Sequence, residues 1–191
     1  MTVNISIILF SYLLGSISSA ILLSKIMGFD DPRSGGSGNP GATNVLRIAG
    51  KKAAFLTLVG DCLKGLIPVL VAVFLELSPL VIALTAFAAF AGHCFPVFFE
   101  FKGGKGVATA IAGTLAFNWI SGLILISIWL VFAKVFKISS LAAIISFTTL
   151  PLVIFWQTQS LPVACVFVVL SLILIWRHRG NIQRLLSGTE S

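Results

Sequence analysis

Polar residues in this chain are gathered into a few short joints, and between the joints the sequence is almost continuously apolar. Apolar runs bounded by Gly, Pro, Ser and Asn predict helices over residues 3–27, 53–75, 79–95, 105–117, 119–136, 138–157 and 161–176. Crossing a bilayer takes about 20 apolar residues. The run at 105–117 is short for that, so it is a partial or tilted span, or else it fuses with 119–136 into one helix and leaves six spans.

Charge decides between the two. With seven spans, Lys25, Arg33, Arg47, Lys51, Lys52, Lys102, Lys105, Lys134, Lys137, Arg177, Arg179 and Arg184 share one side. The opposite joints, around 76–78, 118 and 157–160, contain no Lys or Arg. With six spans the last five of those residues change sides. Lys and Arg collect on the cytoplasmic side, so the bias selects seven spans, N-terminus outside, C-terminus cytoplasmic. Met1 to Asn4 carries no basic residue and the positive charges follow the first apolar run, which reads as a first transmembrane helix rather than a signal peptide. The expectation is an all-α integral membrane protein with one domain, 1–191. It has motif loops at 28–52 and 93–106 and a tail, 177–191, in which Ile182, Leu185 and Leu186 share a face suited to a short interfacial helix.

Composition agrees. Of 191 residues 58% are hydrophobic and 10% charged, and mean hydropathy is +1.07. Soluble domains have nearer 45–50% apolar and about 25% charged residues. The net charge of +7 sits at the ends of apolar runs rather than in a patch or tail, so nucleic acid is not implied. Cys62, Cys94 and Cys165 lie singly in apolar sequence, with no CxxC pair and no clustered His. That pattern suits buried small hydrophobes and suggests neither a disulfide framework nor a metal or cofactor site.

Candidate chemistry lies in the two glycine-rich joints. The first contains Gly36-Ser-Gly-Asn-Pro-Gly41, which has the G-x-G-x-x-G spacing, with Asp61 twenty residues on. A dinucleotide fingerprint needs a strand before it, and an apolar helix stands there instead. The physics beneath the motif remains: glycines let backbone N–H groups converge on an anion, Ser37, Asn39, Thr43 and Asn44 add neutral donors, and Arg47 offers a fork for phosphate. The second joint, Lys102-Gly-Gly-Lys-Gly-Val-Ala-Thr109, is not a Walker A loop, because Phe99 stands where that motif needs glycine. It brings Lys102 and Lys105 around a Gly pair just ahead of a helix N-terminus, where an anion is favoured. A flexible connector with topological basic residues is the alternative for each loop.

Asp61 and Lys64, three apart in an apolar run, read as an ion pair or as a device ordering the loops. His93 and His178 stand at cytoplasmic helix ends as candidate bases or phosphate ligands. Neither is followed by the acid of a His-x-x-x-x-Asp dyad, since Phe98 and Gln183 occupy those positions, and no G-x-S-x-G elbow is present.

These motifs resemble one family. Asp31-Pro-Arg with Gly36-Ser-Gly-Asn-Pro-Gly-Ala-Thr-Asn-Val-Leu-Arg47 is similar to the first motif of the bacterial acyl-phosphate:glycerol-3-phosphate acyltransferases. Gly92-His93, Phe95-Pro96-Val97 and Phe101 to Thr109 resemble the second, and Arg177-His178, Asn181-Ile182 and Arg184-Leu185 the third. Gly15 to Ala20, Asp61 with Lys64-Gly65, and Ser139-Ser140-Leu141 also match, so the resemblance runs through nearly the whole chain.

The resemblance implies acyl transfer from acyl phosphate to the sn-1 hydroxyl of glycerol 3-phosphate, at the cytoplasmic face of the bacterial inner membrane. Its products are lysophosphatidate and inorganic phosphate, in phospholipid synthesis. It implies substrate contacts from Ser37, Gly38, Asn39, Thr43, Asn44, Arg47, His93, Lys102, Gly103, Gly104, Lys105, Thr109, Ser140, His178 and Asn181, with His178, Lys105 and Arg47 acting in the reaction. Acyl phosphate and glycerol 3-phosphate are the implied partners, with membrane lipid and without nucleic acid or cofactor. A transporter of organic phosphates is the alternative function, and a lipid-binding helper subunit a third. Neither an outward-facing basic cluster nor an inverted repeat supports transport.

Overall fold

The computed structural model describes residues 2–190, and every element among them is helical. The chain runs α1 (Thr2–Gly15), α2 (Ser19–Met27), α3 (Ala42–Phe74), α4 (Pro79–Cys94), α5 (Val107–Phe117), α6 (Trp119–Phe136), α7 (Ser139–Thr158), α8 (Leu161–Arg177) and α9 (Arg179–Leu186). A single 3₁₀ turn, Val97–Phe99, follows α4. From α4 to α8 the ends fall within two residues of the sequence expectation.

Two expectations need correction. The helix expected over 3–27 breaks at residues 16–18 and bends by 42°. Ser18 caps the second half, its Oγ accepting from the Ile21 N–H at 3.4 Å, and glycine at position 28 ends it in the left-handed region. The helix expected to start at 53 instead begins at Ala42, so the second half of the first motif is helical rather than loop. Gly50, at φ 80° and ψ −176°, kinks this long helix where its basic residues give way to the apolar run.

Among the described residues four helices can each cross a membrane by length and composition, or up to six spans if the bent pairs α1–α2 and α8–α9 each count as one. At 11 residues α5 measures about 16 Å, half the hydrocarbon thickness. It is the segment that makes the difference between that number and the seven expected from charge.

α4 is the central post, packed against α1, α3, α5 and α8. Its small residues allow this. A Cβ on Gly15 of α1 would lie 2.2 Å from the Ala89 carbonyl oxygen, and one on Gly92 of α4 would lie 2.2 Å from that of Tyr12. Close backbone approach is how membrane helices gain contact when lipid is as apolar as the side chains. Hydrogen bonds lock the same pair: Ser11 Oγ donates to the Thr85 carbonyl at 2.7 Å and Tyr12 Oη to that of Phe95 at 2.8 Å. Phe90, Leu125, Phe147, Phe167 and Leu174 fill the space between α4 and α6–α8. Phe74, Leu152 and Leu172 point outward, as lipid-facing residues do.

Candidate active site

Three segments far apart in sequence meet over one end of this bundle. Ser37, Gly38 and Asn39 come from the first motif, Gly103 and Lys105 from the second, and Arg177, Asn181 and Arg184 from the chain's end. They line a cleft of about 320 Å³.

The first motif is shaped by Asn44. It is 1% exposed, in the first turn of α3, and its amide serves the loop alone. Oδ1 accepts from the Ser37 N–H at 2.8 Å, and Nδ2 donates to the carbonyls of Pro32 at 2.9 Å and Gly35 at 3.0 Å. A Cβ at Gly36 would fall 2.2 Å from that Oδ1. Asn44 therefore folds the loop and places Ser37 at the cleft. Thr43 and Arg47 lie one helical turn apart on the exposed side of α3.

The second motif rests on His93. The Gly104 N–H donates to the His93 carbonyl at 3.1 Å, and a Cβ on Gly104 would lie 2.1 Å from His93 Nε2. From the other side Arg177 grips the same segment, Nε donating to the Gly104 carbonyl at 3.0 Å and Nη2 to that of Gly103. Glycine at 106, with φ +80°, turns the chain into α5, whose first turn has no side-chain cap. Lys102 turns elsewhere. It is exposed, pairs with Glu100 at 2.7 Å and does not line the cleft, because the Gly pair points Lys102 and Lys105 to different sides.

Under the motif lies a buried ionic cluster. Asp61 Oδ1 is 3.0 Å from Lys64 Nζ and 3.6 Å from His93 Nδ1. Thr109 Oγ1 donates to the Asp61 carbonyl at 2.9 Å and is 3.3 Å from His93 Nδ1. Lys64 also donates to the Ile17 carbonyl at 2.9 Å, a group that the break between α1 and α2 leaves without a helical partner. The two sequence readings of Asp61 and Lys64 are thus one: the pair is structural, and it supports the loop above. Thr109 and His93 belong to this support beneath the cleft.

The third segment carries a relay. Lys105 Nζ donates to Asn181 Oδ1, and Asn181 Nδ2 donates to Glu190 Oε1. That carboxylate also accepts from Ser140 Oγ at 2.6 Å and from Arg184 Nε at 2.6 Å. Ser140 therefore holds the tail to α7, and its hydroxyl is engaged by Glu190. His178, 2% exposed, forms the 57° corner between α8 and α9. Its Nδ1 lies 2.8 Å from the Leu174 carbonyl, which can only accept, so Nδ1 carries the proton and Nε2 is left as the acceptor.

Lys105 sits among cations. Burial first, then the nearby charges of Arg184, Arg177 and Arg47, lower its pKa to about 8, while Glu190 opposes them. Sequence reasoning places Arg177 and Arg184 in the third motif and in the charge count but gives them no contact, and it leaves out Glu190, although Glu190 is the one acid after residue 100 and so a readable signal.

The glycerol-3-phosphate acyltransferase family model matches residues 5–188. A glycerol-3-phosphate acyltransferase of Methylococcus capsulatus is 49% identical over 191 residues, covering 100% of this chain and 96% of its own. One from Francisella tularensis subsp. novicida is 50% identical over 188 residues, covering 98% and 92%. The fold is similar to crystal structures of PlsY (YgiH), an integral membrane glycerol 3-phosphate acyltransferase. The glycerol 3-phosphate form has a TM-score of 0.93 at 40% identity, and the lysophosphatidic acid form 0.88 at 39%. Each covers 98% of this chain and 94% of the other. With the family pattern spanning the chain and relatives at half identity over its full length, this protein belongs to the glycerol-3-phosphate acyltransferase family.

Proposed function

We propose that the chain transfers a fatty acyl group from acyl phosphate to the sn-1 hydroxyl of glycerol 3-phosphate, at the cytoplasmic face of the bacterial inner membrane. The observation that carries this reading is the convergence of Ser37, Lys105, Arg177, Asn181 and Arg184 on one cleft at the polar end of an apolar bundle. Both substrates bear a phosphate, and one of them also bears an acyl chain. A cationic cleft at the membrane boundary holds the heads while the tail stays in lipid. The gathering of Lys and Arg at this side of the chain supports the cytoplasmic placement.

The hydroxyl oxygen attacks the acyl carbonyl carbon, and the bond from that carbon to the phosphate oxygen breaks. The hydroxyl proton passes to a phosphate oxygen of the donor, which leaves as inorganic phosphate, and lysophosphatidate remains. An acyl phosphate is already activated, so the protein's main contribution is positioning. Lys105 and Arg47 stabilise charge as the phosphate departs, and Ser37 with the backbone of Gly38 and Asn39 holds a phosphate head. No protein base is needed in this scheme, and His178 keeps the α8–α9 corner that presents Asn181.

The test is phosphate release by the purified protein in lipid, given palmitoyl phosphate and glycerol 3-phosphate, beside Lys105→Ala and Arg47→Ala. Release that requires both substrates and falls by about tenfold or more in both variants is expected. Release from acyl phosphate without glycerol 3-phosphate, or undiminished release by the variants, would overturn the proposal.

A further inference from the structure

We propose that Arg177 is a positioning residue, whose guanidinium fixes the Gly103–Gly104 segment so that Lys105 is delivered to the cleft; the proposal rests on the site assigned above. Two successive glycines have more backbone freedom than any other pair, so ordering them costs more conformational entropy than ordering other residues. Something must hold them if Lys105 is to be in place before substrate arrives.

The grip comes from two sides. Arg177, which lies 73 and 74 positions away in sequence, reaches both carbonyls, with Nε on Gly104 and Nη2 on Gly103. In a trans peptide the N–H points opposite to the C=O. With the Gly103 carbonyl on Arg177, the Gly104 N–H is turned away from it, and there it meets the His93 carbonyl at 3.1 Å. The segment is thus held along both edges, and neither peptide can rotate without losing a bond. Lys105 follows directly, and its ammonium reaches Asn181.

Arg177 is itself held. Its guanidinium lies 5.7 Å from the ring centre of Phe95 and 6.0 Å from that of Trp176, two rings whose centres are 6.2 Å apart. Phe95 ends α4, so the arginine ties the last residue of α8 to the end of the central helix and to the loop at once. Two of its donor groups are spent on backbone carbonyls, so its part is to place Lys105. An ammonium cannot reproduce the planar two-donor fork.

The experiment compares wild type, Lys105→Ala, Arg177→Lys, Arg177→Ala and the Arg177→Ala/Lys105→Ala double variant, all full-length in one detergent. Initial rates are taken against each substrate, with melting temperatures alongside. Both Arg177 variants are expected to raise the KM of the same substrate that Lys105→Ala affects, by about tenfold or more, with melting shifted by only a few degrees. The double variant should be no worse than Lys105→Ala alone, because a positioning residue has nothing left to position. Ethylguanidinium, and not ethylammonium, should restore part of the activity of Arg177→Ala.

Arg177→Lys with wild-type kcat/KM, or equal rescue by ethylammonium, would overturn the proposal in favour of plain charge. Additive losses in the double variant, or both Arg177 variants melting below assay temperature, would also overturn it and make Arg177 a fold residue. Full activity in Lys105→Ala would instead remove the site assignment on which the proposal stands.

Discussion

A methyl group on the second motif is the sharpest perturbation the structure offers. A Cβ at Gly104 would lie 2.1 Å from His93 Nε2 and 3.0 and 3.1 Å from two of its ring carbons. At Gly103 it would lie 2.1 Å from the His93 carbonyl oxygen, 2.8 Å from that of Cys94 and 2.5 Å from Pro96 Cδ. Neither set of neighbours can retreat. The His93 ring is backed by Asp61 and Thr109, and the carbonyls are those of the last turn of α4. The loop must therefore shift, and overpacking of this kind costs about 1–3 kcal/mol. If substrate binding has to restore the loop, kcat/KM falls by about 5- to 150-fold.

Gly28→Ala is the control. Glycine there has φ +74° and no neighbour within 4 Å of a Cβ, so alanine brings only left-handed strain of about 1–2 kcal/mol, away from the cleft. Phosphate release measured against each substrate, with melting temperature in parallel, separates the two effects. Gly28→Ala should melt earlier yet keep its KM values, and Gly103→Ala and Gly104→Ala should lose affinity for a phosphate substrate. Wild-type KM values in both loop variants, with melting lowered only as in Gly28→Ala, would refute the claim that this loop's shape makes the site.

Three further outcomes follow from the same geometry. Lys105, depressed from 10.5 to about 8, loses its charge as pH rises through that value, so kcat/KM should fall on the alkaline side near pH 8. The same group should make the fold more stable as pH rises from about 8 to 10.5, since there the unfolded chain binds more protons; Lys105→Arg should remove both effects, measured by rate profiles and melting. His178→Gln should slow turnover by loosening the corner before Asn181 while leaving the shape of the pH–rate profile unchanged, whereas loss of an acidic limb would make histidine the base.

The helices were legible because lipid exposure leaves long apolar runs that only a helix can satisfy. Their interruptions were less so. The break at residues 16–18 carries serines, which apolar counting passes over, and the helical start at Ala42 hides behind a motif that reads as loop because of its glycines. Glycine at 50 then bends the helix rather than ending it, which no composition window distinguishes from a stop. The site was legible as segments and not as roles. Ser37, Lys105 and Asn181 do meet, but nothing local in sequence shows that Lys102 turns away to Glu100 or that Asn44 turns inward.

Organising and binding groups look alike in these motifs for a physical reason. A loop at the membrane boundary has little apolar surface to bury, so its shape must be held by hydrogen bonds rather than by a core. Asn44 spends three bonds on the first motif. Arg177 and His93 together spend three on the second, and Glu190 accepts three in the third segment. Donor-rich motifs in such a place contain more organising groups than binding groups, and the two kinds look alike in sequence. Access to the cleft is one difference: Asn44 and His93 do not line it, while Lys105 does. The same logic explains the buried charges of Asp61 and Lys64, which would be costly if single in an apolar helix but are tolerable as a pair. They give His93 a fixed partner, and through it fix the loop that presents Lys105, so that polar order is carried from inside the bundle up to the cleft that Lys105 lines.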